Sequence, residues 1–281
     1  MRAKVQLPGA TALVTGAGSG IGRATALALA RQGTNVLAVD IDEASAKTTA
    51  VTCIDIGAQA SAHTCDVADR PAMMALADQI HREHGPLDIL VNNAGVGHTG
   101  RFLDMQPDDW DWIRSINLDG VVHGCQAFVP AMLERRRGHV VNVSSGLAYG
   151  PLAMTAAYST TKAGVLMFSR AVRPDWGTRG LGVSVICPGV INTAIIEKTR
   201  FSGAVDDERA QSFAKLAFRF GHRPELVADA IVKAIRRNKA IVPVGIESRA
   251  AWYAVKITPQ PVLGLIGRPL PEFVGRALGR R

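Results

Sequence analysis

"TGAGSGIG", residues 15–22, decides how this chain of 281 residues is read. An apolar run, "TALVT" (11–15), leads into it, and an alanine-rich amphipathic stretch near 21–32 leads away. A strand that turns sharply into a helix through glycines leaves free N–H groups at the helix start, where they attract phosphate. The sixth position of a GxGxxG pattern would be Ile21, so the spacing is instead TGxxxGxG, with Gly16, Gly20 and Gly22 around Ser19 and Ile21. The need is similar: a tight turn and close approach of a ligand to the backbone.

Outward from this loop, short apolar runs alternate with longer amphipathic ones. Strands are predicted at 11–15, 35–40, 61–65, 87–92, 139–144, 182–187 and 240–244, and helices near 21–32, 42–56, 70–84, 107–136, 155–177 and 224–237. Such alternation implies a doubly wound α/β fold, a parallel seven-stranded sheet with helices on both faces. Residues 1–245 read as one dinucleotide-binding domain, and 246–281 as a basic, apolar tail. Asp40 ends the second predicted strand, 24 residues beyond Gly16. An acid there suits the adenosine ribose hydroxyls and repels the extra phosphate of NADP, which favours NAD.

Composition excludes several classes. The chain is 47% hydrophobic and 20% charged, which fits a packed globule and not a disordered chain. Cys53, Cys65, Cys125 and Cys187 are widely spaced with no CxxC pair, which argues for reduced, buried thiols and no metal site. No apolar leader or run long enough to span a membrane is evident, so a cytoplasmic location is expected. The net charge of +8 is concentrated at the end: 236–281 holds nine Lys/Arg against two Glu. Without aromatic platforms or a basic face on the body, no nucleic acid is expected as a partner.

One constellation carries chemistry. In "AAYSTTKAG" (156–164), Tyr158 stands four residues before Lys162 and so shares a helix face with it. A nearby ammonium is expected to ease proton loss from a phenol whose ordinary pKa is about 10. "VNVSSGLAYG" (141–150) places a hydroxyl at the carboxyl end of a strand, where open α/β sheets bind ligands. Ser145 is the first choice for it, and Ser144 is the alternative.

With "CDV" (65–67), "NNAG" (92–95), "SINLDG" (115–120) and "CPGVINT" (187–193) in order along the chain, residues 8–245 resemble the short-chain dehydrogenase/reductase family. The resemblance implies an NAD(P)-dependent oxidoreductase, working as a homodimer or homotetramer on a small-molecule alcohol or ketone. It implies Tyr158 as general acid/base, Lys162 on the nicotinamide ribose, and Ser145 holding the substrate oxygen. Asn117 would anchor a water in a proton relay. For the cofactor it implies Asp66 and Val67 at the adenine, Asn93, Ala94 and Gly95 along it near the fourth strand, Thr193 at the carboxamide side, and Pro188 and Gly189 as further contacts. A catalytically silent NAD-binding protein on the same fold is the alternative, and a basic membrane- or nucleic-acid-associated scaffold a second rival that rests on the tail's charge alone.

Some features depart from the family's pattern. Pro174 falls late in the helix of Tyr158 and is expected to kink or end it. The substrate lid, about 194–222, holds Ile195, Ile196, Phe201, Phe213, Phe218 and Phe220, and Leu147, Tyr149 and Leu152 follow the serine. Together they suggest an apolar substrate such as a steroid, terpenoid or lipid. His98 is either an exposed loop side chain or one that faces substrate. The tail packs on a partner, covers the cleft, or rests peripherally on an anionic membrane.

Overall fold

The computed structural model describes residues 5–150, 152–203 and 219–258. Expectations for Phe213, Phe218 and the tail beyond 258 lie outside the described residues.

Seven strands form one parallel sheet: β1 (Thr11–Thr15), β2 (Asn35–Asp40), β3 (Ala60–Thr64), β4 (Ile89–Asn92), β6 (Gly138–Val143), β7 (Leu181–Pro188) and β9 (Ile241–Val244), ordered β3-β2-β1-β4-β6-β7-β9. The fold class is therefore the doubly wound one read from the sequence. Helices α1 (Gly20–Ala30), α2 (Glu43–Asp55) and α3 (Arg70–His84) link the first strands. Asp42 and Asp69 cap α2 and α3 with their side chains, satisfying helix-start N–H groups. Strands β4, β6 and β7 are buried along their whole length, as strands covered on both faces must be. One core layer packs α1 and the helix α7 (Pro224–Arg237) on the sheet around Leu29, Val91 and Ile231. The other holds α3 and α5 (Gly120–Glu134) around Ile80, Leu90 and Phe128.

The order reverses between β1 and β4, and there the strands' carboxyl ends open into a crevice. The glycine loop, Asp40, the NNAG segment, Ser144–Ser145 and the loop after β7 all leave the sheet at this edge.

Three elements differ from the sequence reading. The expected helix over 107–136 is α4 (Pro107–Arg114), a π-helical turn over Ser115–Asp119, and α5. A π turn inserts a residue into the helical ladder and re-aims side chains, and here it carries the fully buried Asn117. Helix α6 (Ala156–Thr178) runs through Pro174 without ending. Pro174 and Arg170 lie on the exposed face, so a carbonyl freed there is open to water. A two-stranded parallel sheet, β5 (Gly97–Thr99) with β8 (Thr199–Phe201), was not foreseen.

After β9, helix α8 (Ile246–Ile257) turns back onto the Gly146–Ala148 turn. Among the described residues no helix is long and apolar enough to cross a membrane.

Candidate active site

A cavity of about 640 Å³ occupies the crevice at the carboxyl edge. Gly16, Ser19, Gly20, Ile21, Asp40, Asp66, Val67, Asn93, Ala94, Gly95, Ser145, Tyr158, Lys162, Pro188, Gly189 and Thr193 line it. Two sequence-predicted residues stand behind its wall, Gly22 and Asn117.

Gly22 shapes the loop from beneath. A Cβ there would come within 1.9 Å of the Gly16 carbonyl oxygen, and Gly16 itself has φ +64°. Ser19 makes no side-chain cap, and the first turn of α1 holds no acid, so the helix start faces the cavity uncompensated. Asn93 ties the floor to this loop: its Nδ2 donates to the Thr15 carbonyl at 2.8 Å and its N–H to Thr15 Oγ1 at 3.0 Å.

Asp40 is buried, 6% exposed. Its Oδ2 accepts the Gly18 N–H at 2.8 Å and its Oδ1 the Asp42 N–H at 3.1 Å. Each oxygen keeps acceptor capacity toward the cavity. Asp66 is exposed and accepts the Ala68 N–H at 2.9 Å.

At the opposite end, Lys162 is 3% exposed and donates to the Val143 carbonyl at 3.2 Å. Its Nζ lies 5.8 Å from the centre of the Tyr158 ring. Burial pushes the ammonium down to about 8. Burial also raises the Tyr158 phenol above its ordinary value, while a hydrogen bond with Ser145 pulls the other way. The acidified phenol expected from the Tyr–Lys spacing is thus not what the protein alone presents. Desolvation outweighs that hydrogen bond, and the phenol stays a proton donor at neutral pH.

The two serines both line the cavity but differ in how their hydroxyls are engaged. Ser144 Oγ donates to the Lys162 carbonyl at 2.7 Å and is committed to the helix backbone. Ser145 Oγ accepts the Leu147 N–H at 3.2 Å and keeps its own proton for the cavity. Asn117 is engaged as well: its Oδ1 accepts the Val96 N–H at 2.8 Å, and its Nδ2 donates to the Val96 carbonyl at 2.9 Å and to Thr161 Oγ1 at 3.3 Å. Its side chain therefore holds the NNAG segment against α6, and any relay water would be held by its remaining acceptor capacity.

Other lining residues stand outside the motifs, and some of them were named by the sequence only as substrate-side candidates. His98 is buried at 3% exposure on β5, not in an exposed loop, and its Nε2 lies 3.3 Å from Ser202 Oγ. Burial lowers its pKa and favours the neutral ring. Glu247, Ser248 and Ala251 reach the cavity from α8; nothing local marks them, since they are distant in sequence from every motif. Val96, Ile116, Leu147, Leu152, Ile195 and Ile196 give the remaining wall an apolar surface. Phe220 does not join it and is 84% exposed.

The sequence profile of the short chain dehydrogenase family matches residues 10–202. This chain is a short-chain dehydrogenase/reductase. The family is one of oxidoreductases that bind NAD or NADP, and comparisons with individual members agree. The probable oxidoreductase EphD of Mycobacterium tuberculosis is 45% identical over 254 residues, which are 88% of this chain and 43% of that protein. The chain therefore spans less than half the length of that curated relative. A short-chain dehydrogenase/reductase from Burkholderia phymatum, solved with NAD, superposes with a TM-score of 0.81 at 27% identity, covering 94% of this chain and 98% of that one. A metagenomic short-chain oxidoreductase solved with NADP gives 0.69 at 29% identity, covering 85% and 96%.

The residues present fit such a dinucleotide. The uncapped start of α1 suits a diphosphate, the Asp40 carboxylate suits a ribose diol, and the glycine loop leaves the backbone bare. A bound nicotinamide supplies the hydride chemistry. The chain's own residues bring the Ser145 hydroxyl, a protonated phenol and a buried cation together at one wall, a set that can hold and protonate a reacting oxygen.

Proposed function

We propose that this short-chain dehydrogenase/reductase interconverts a secondary alcohol and a ketone with NAD(H). Ser145 donates a hydrogen bond to the reacting oxygen. Tyr158 gives that oxygen its proton in reduction and takes it back in oxidation. Lys162 holds the ribose hydroxyls and compensates the phenolate as it forms. The observation that carries the reading is that one cavity joins Asp40 and the glycine loop at one end to Ser145, Tyr158 and Lys162 at the other.

The preference for NAD rests on Asp40, whose buried carboxylate stands where a 2′-phosphate would add like charge. The apolar residues 147, 152, 195 and 196 favour a ring or alkyl substrate. Of the lid expected over 194–222, residues 204–218 lie outside the described residues, while Ile195 and Ile196 line the cavity.

Tyr158→Phe tests the proposal. Turnover on an alcohol and ketone panel is expected to fall by about 10²–10⁴-fold, the share a general acid supplies, while NADH fluorescence titration gives an unchanged Kd. Wild type inert across the panel but still binding NADH would support a silent dinucleotide-binding protein instead.

A further inference from the structure

Helix α8 enters the site with a carboxylate that no motif announces. Glu247 Oε1 accepts the N–H of Val190 at 2.7 Å, and its Oε2 lies 3.0 Å from His222 Nε2. Room has been made for it on two sides. A Cβ on Gly189 would stand 1.9 Å from Glu247 Oε1, and one on Gly245, at φ +93°, would stand 2.7 Å from it. The carboxylate is thus pressed between the loop after β7 and the loop that begins α8.

Its two partners belong to different parts of the cavity wall. Val190 continues from Pro188 and Gly189, which the family resemblance makes cofactor contacts. His222 stands two residues before the start of α7, and its backbone is fixed to the same loop. Its N–H donates to the Val190 carbonyl at 2.9 Å, and its carbonyl accepts the Asn192 N–H at 2.8 Å. The helix itself is seated firmly. Ser248 Oγ donates to the Cys187 carbonyl at 2.7 Å, and the Tyr149 hydroxyl donates to the Ser248 carbonyl at 2.9 Å.

We propose that Glu247 is a positioning residue that fixes the Gly189–Val190 wall of the cofactor cavity and, through His222, couples it to the segment that begins α7. A charge-assisted hydrogen bond to a main-chain N–H fixes that peptide more strongly than a neutral one. Hydrogen bonds from its own N–H, from His222 and from Val190 outweigh the burial that would raise the carboxyl, and hold it below the ordinary value. Glu247 therefore stays ionised at neutral pH. The inference rests on the dinucleotide reading of the cavity, and its test separates the two.

The readouts are NADH Kd by fluorescence titration, the split between KM and kcat, and the thermal midpoint, for Glu247→Ala, Glu247→Gln, His222→Ala and the double variant. Glu247→Ala is expected to weaken NADH binding by about tenfold or more, as loss of a charged hydrogen bond implies, and to raise KM more than it lowers kcat. Glu247→Gln keeps an oxygen for Val190 and an amide for His222, so it should recover NADH binding to within about threefold. The double variant should bind NADH no worse than Glu247→Ala alone, because the histidine acts through the carboxylate. Glu247→Ala binding NADH like wild type, Glu247→Gln no better than Glu247→Ala, or a Kd that merely follows the thermal midpoint would each overturn this role alone. Wild type failing to bind NADH would overturn the cavity's cofactor reading together with it.

Discussion

Strand β6 starts at Gly138 and His139 and runs out into Ser144 and Ser145, so its ends compare the two edges of the sheet. At the amino edge, His139 is fully buried with its Nε2 2.8 Å from Ser184 Oγ, and Ser184 in turn donates to the Lys239 carbonyl. Asp88 accepts the Thr11 N–H at 3.0 Å and the Arg135 guanidinium at 2.9 Å, with Arg137 at 3.3 Å. Polar capacity there is mostly spent on joining strands and helices. At the carboxyl edge the same kinds of groups keep valences open: the proton of Ser145, the phenol of Tyr158, two of the three donors of Lys162 and the free lone pairs of Asp40. Burial of polar groups alone therefore does not mark a site in this molecule. Burial with unspent capacity beside a cavity does.

Three substitutions or titrations break or sharpen that contrast, and the largest effect comes from Lys162. An ammonium held down to about 8 costs stability at pH 7. From an ordinary lysine value of about 10.4 the cost is on the order of 3 kcal/mol. Lys162→Met should therefore abolish turnover while raising the thermal midpoint of the protein at pH 7. Because the folded pKa is depressed, the wild type sheds its penalty as pH climbs from about 8 toward about 10.4, and the variant's advantage should shrink over that window. A midpoint that drops at pH 7 would contradict this picture of the carboxyl edge.

Asp88→Ala should do the reverse. It strands the Thr11 N–H and two arginines, with an expected loss of about 2–3 kcal/mol in denaturant unfolding. NADH binding by the folded variant should stay unchanged, and a shifted Kd would mean that the two edges are not independent.

The smallest effect is titration of His139, which burial pushes down to about 3. Its folded pKa lies below that of the unfolded chain, so its contribution is complete above about pH 6.5 and is lost as pH falls toward 3. His139→Gln should flatten that acid limb by up to about 1.4 kcal/mol per pH unit in equilibrium unfolding.

Much of this was legible in the chain. The strand-helix alternation, the glycine loop, Asp40 and the Tyr158–Lys162 pair are local patterns, set by periodicities of two and 3.6 residues and by a turn that only glycine can take. Residues 70–84 and 224–237 form helices with those bounds because their apolar stripes and starts lie within a few turns of one another. The resemblance to the family added the roles of residues that no local rule distinguishes, such as Asn117 and Thr193.

The sequence by itself determined a parallel sheet wound on both faces, with a glycine-rich loop after its first strand and the Tyr158–Lys162 pair on the helix after β6. Only the tertiary structure tied the Ser144 hydroxyl to the Lys162 carbonyl, buried His98, bonded Asn117 to Val96, and brought Glu247 from α8 to Val190, 57 residues away in sequence. It also reversed the expected acidity of Tyr158, because proximity to a cation is written in the spacing of two residues whereas desolvation depends on everything packed around them.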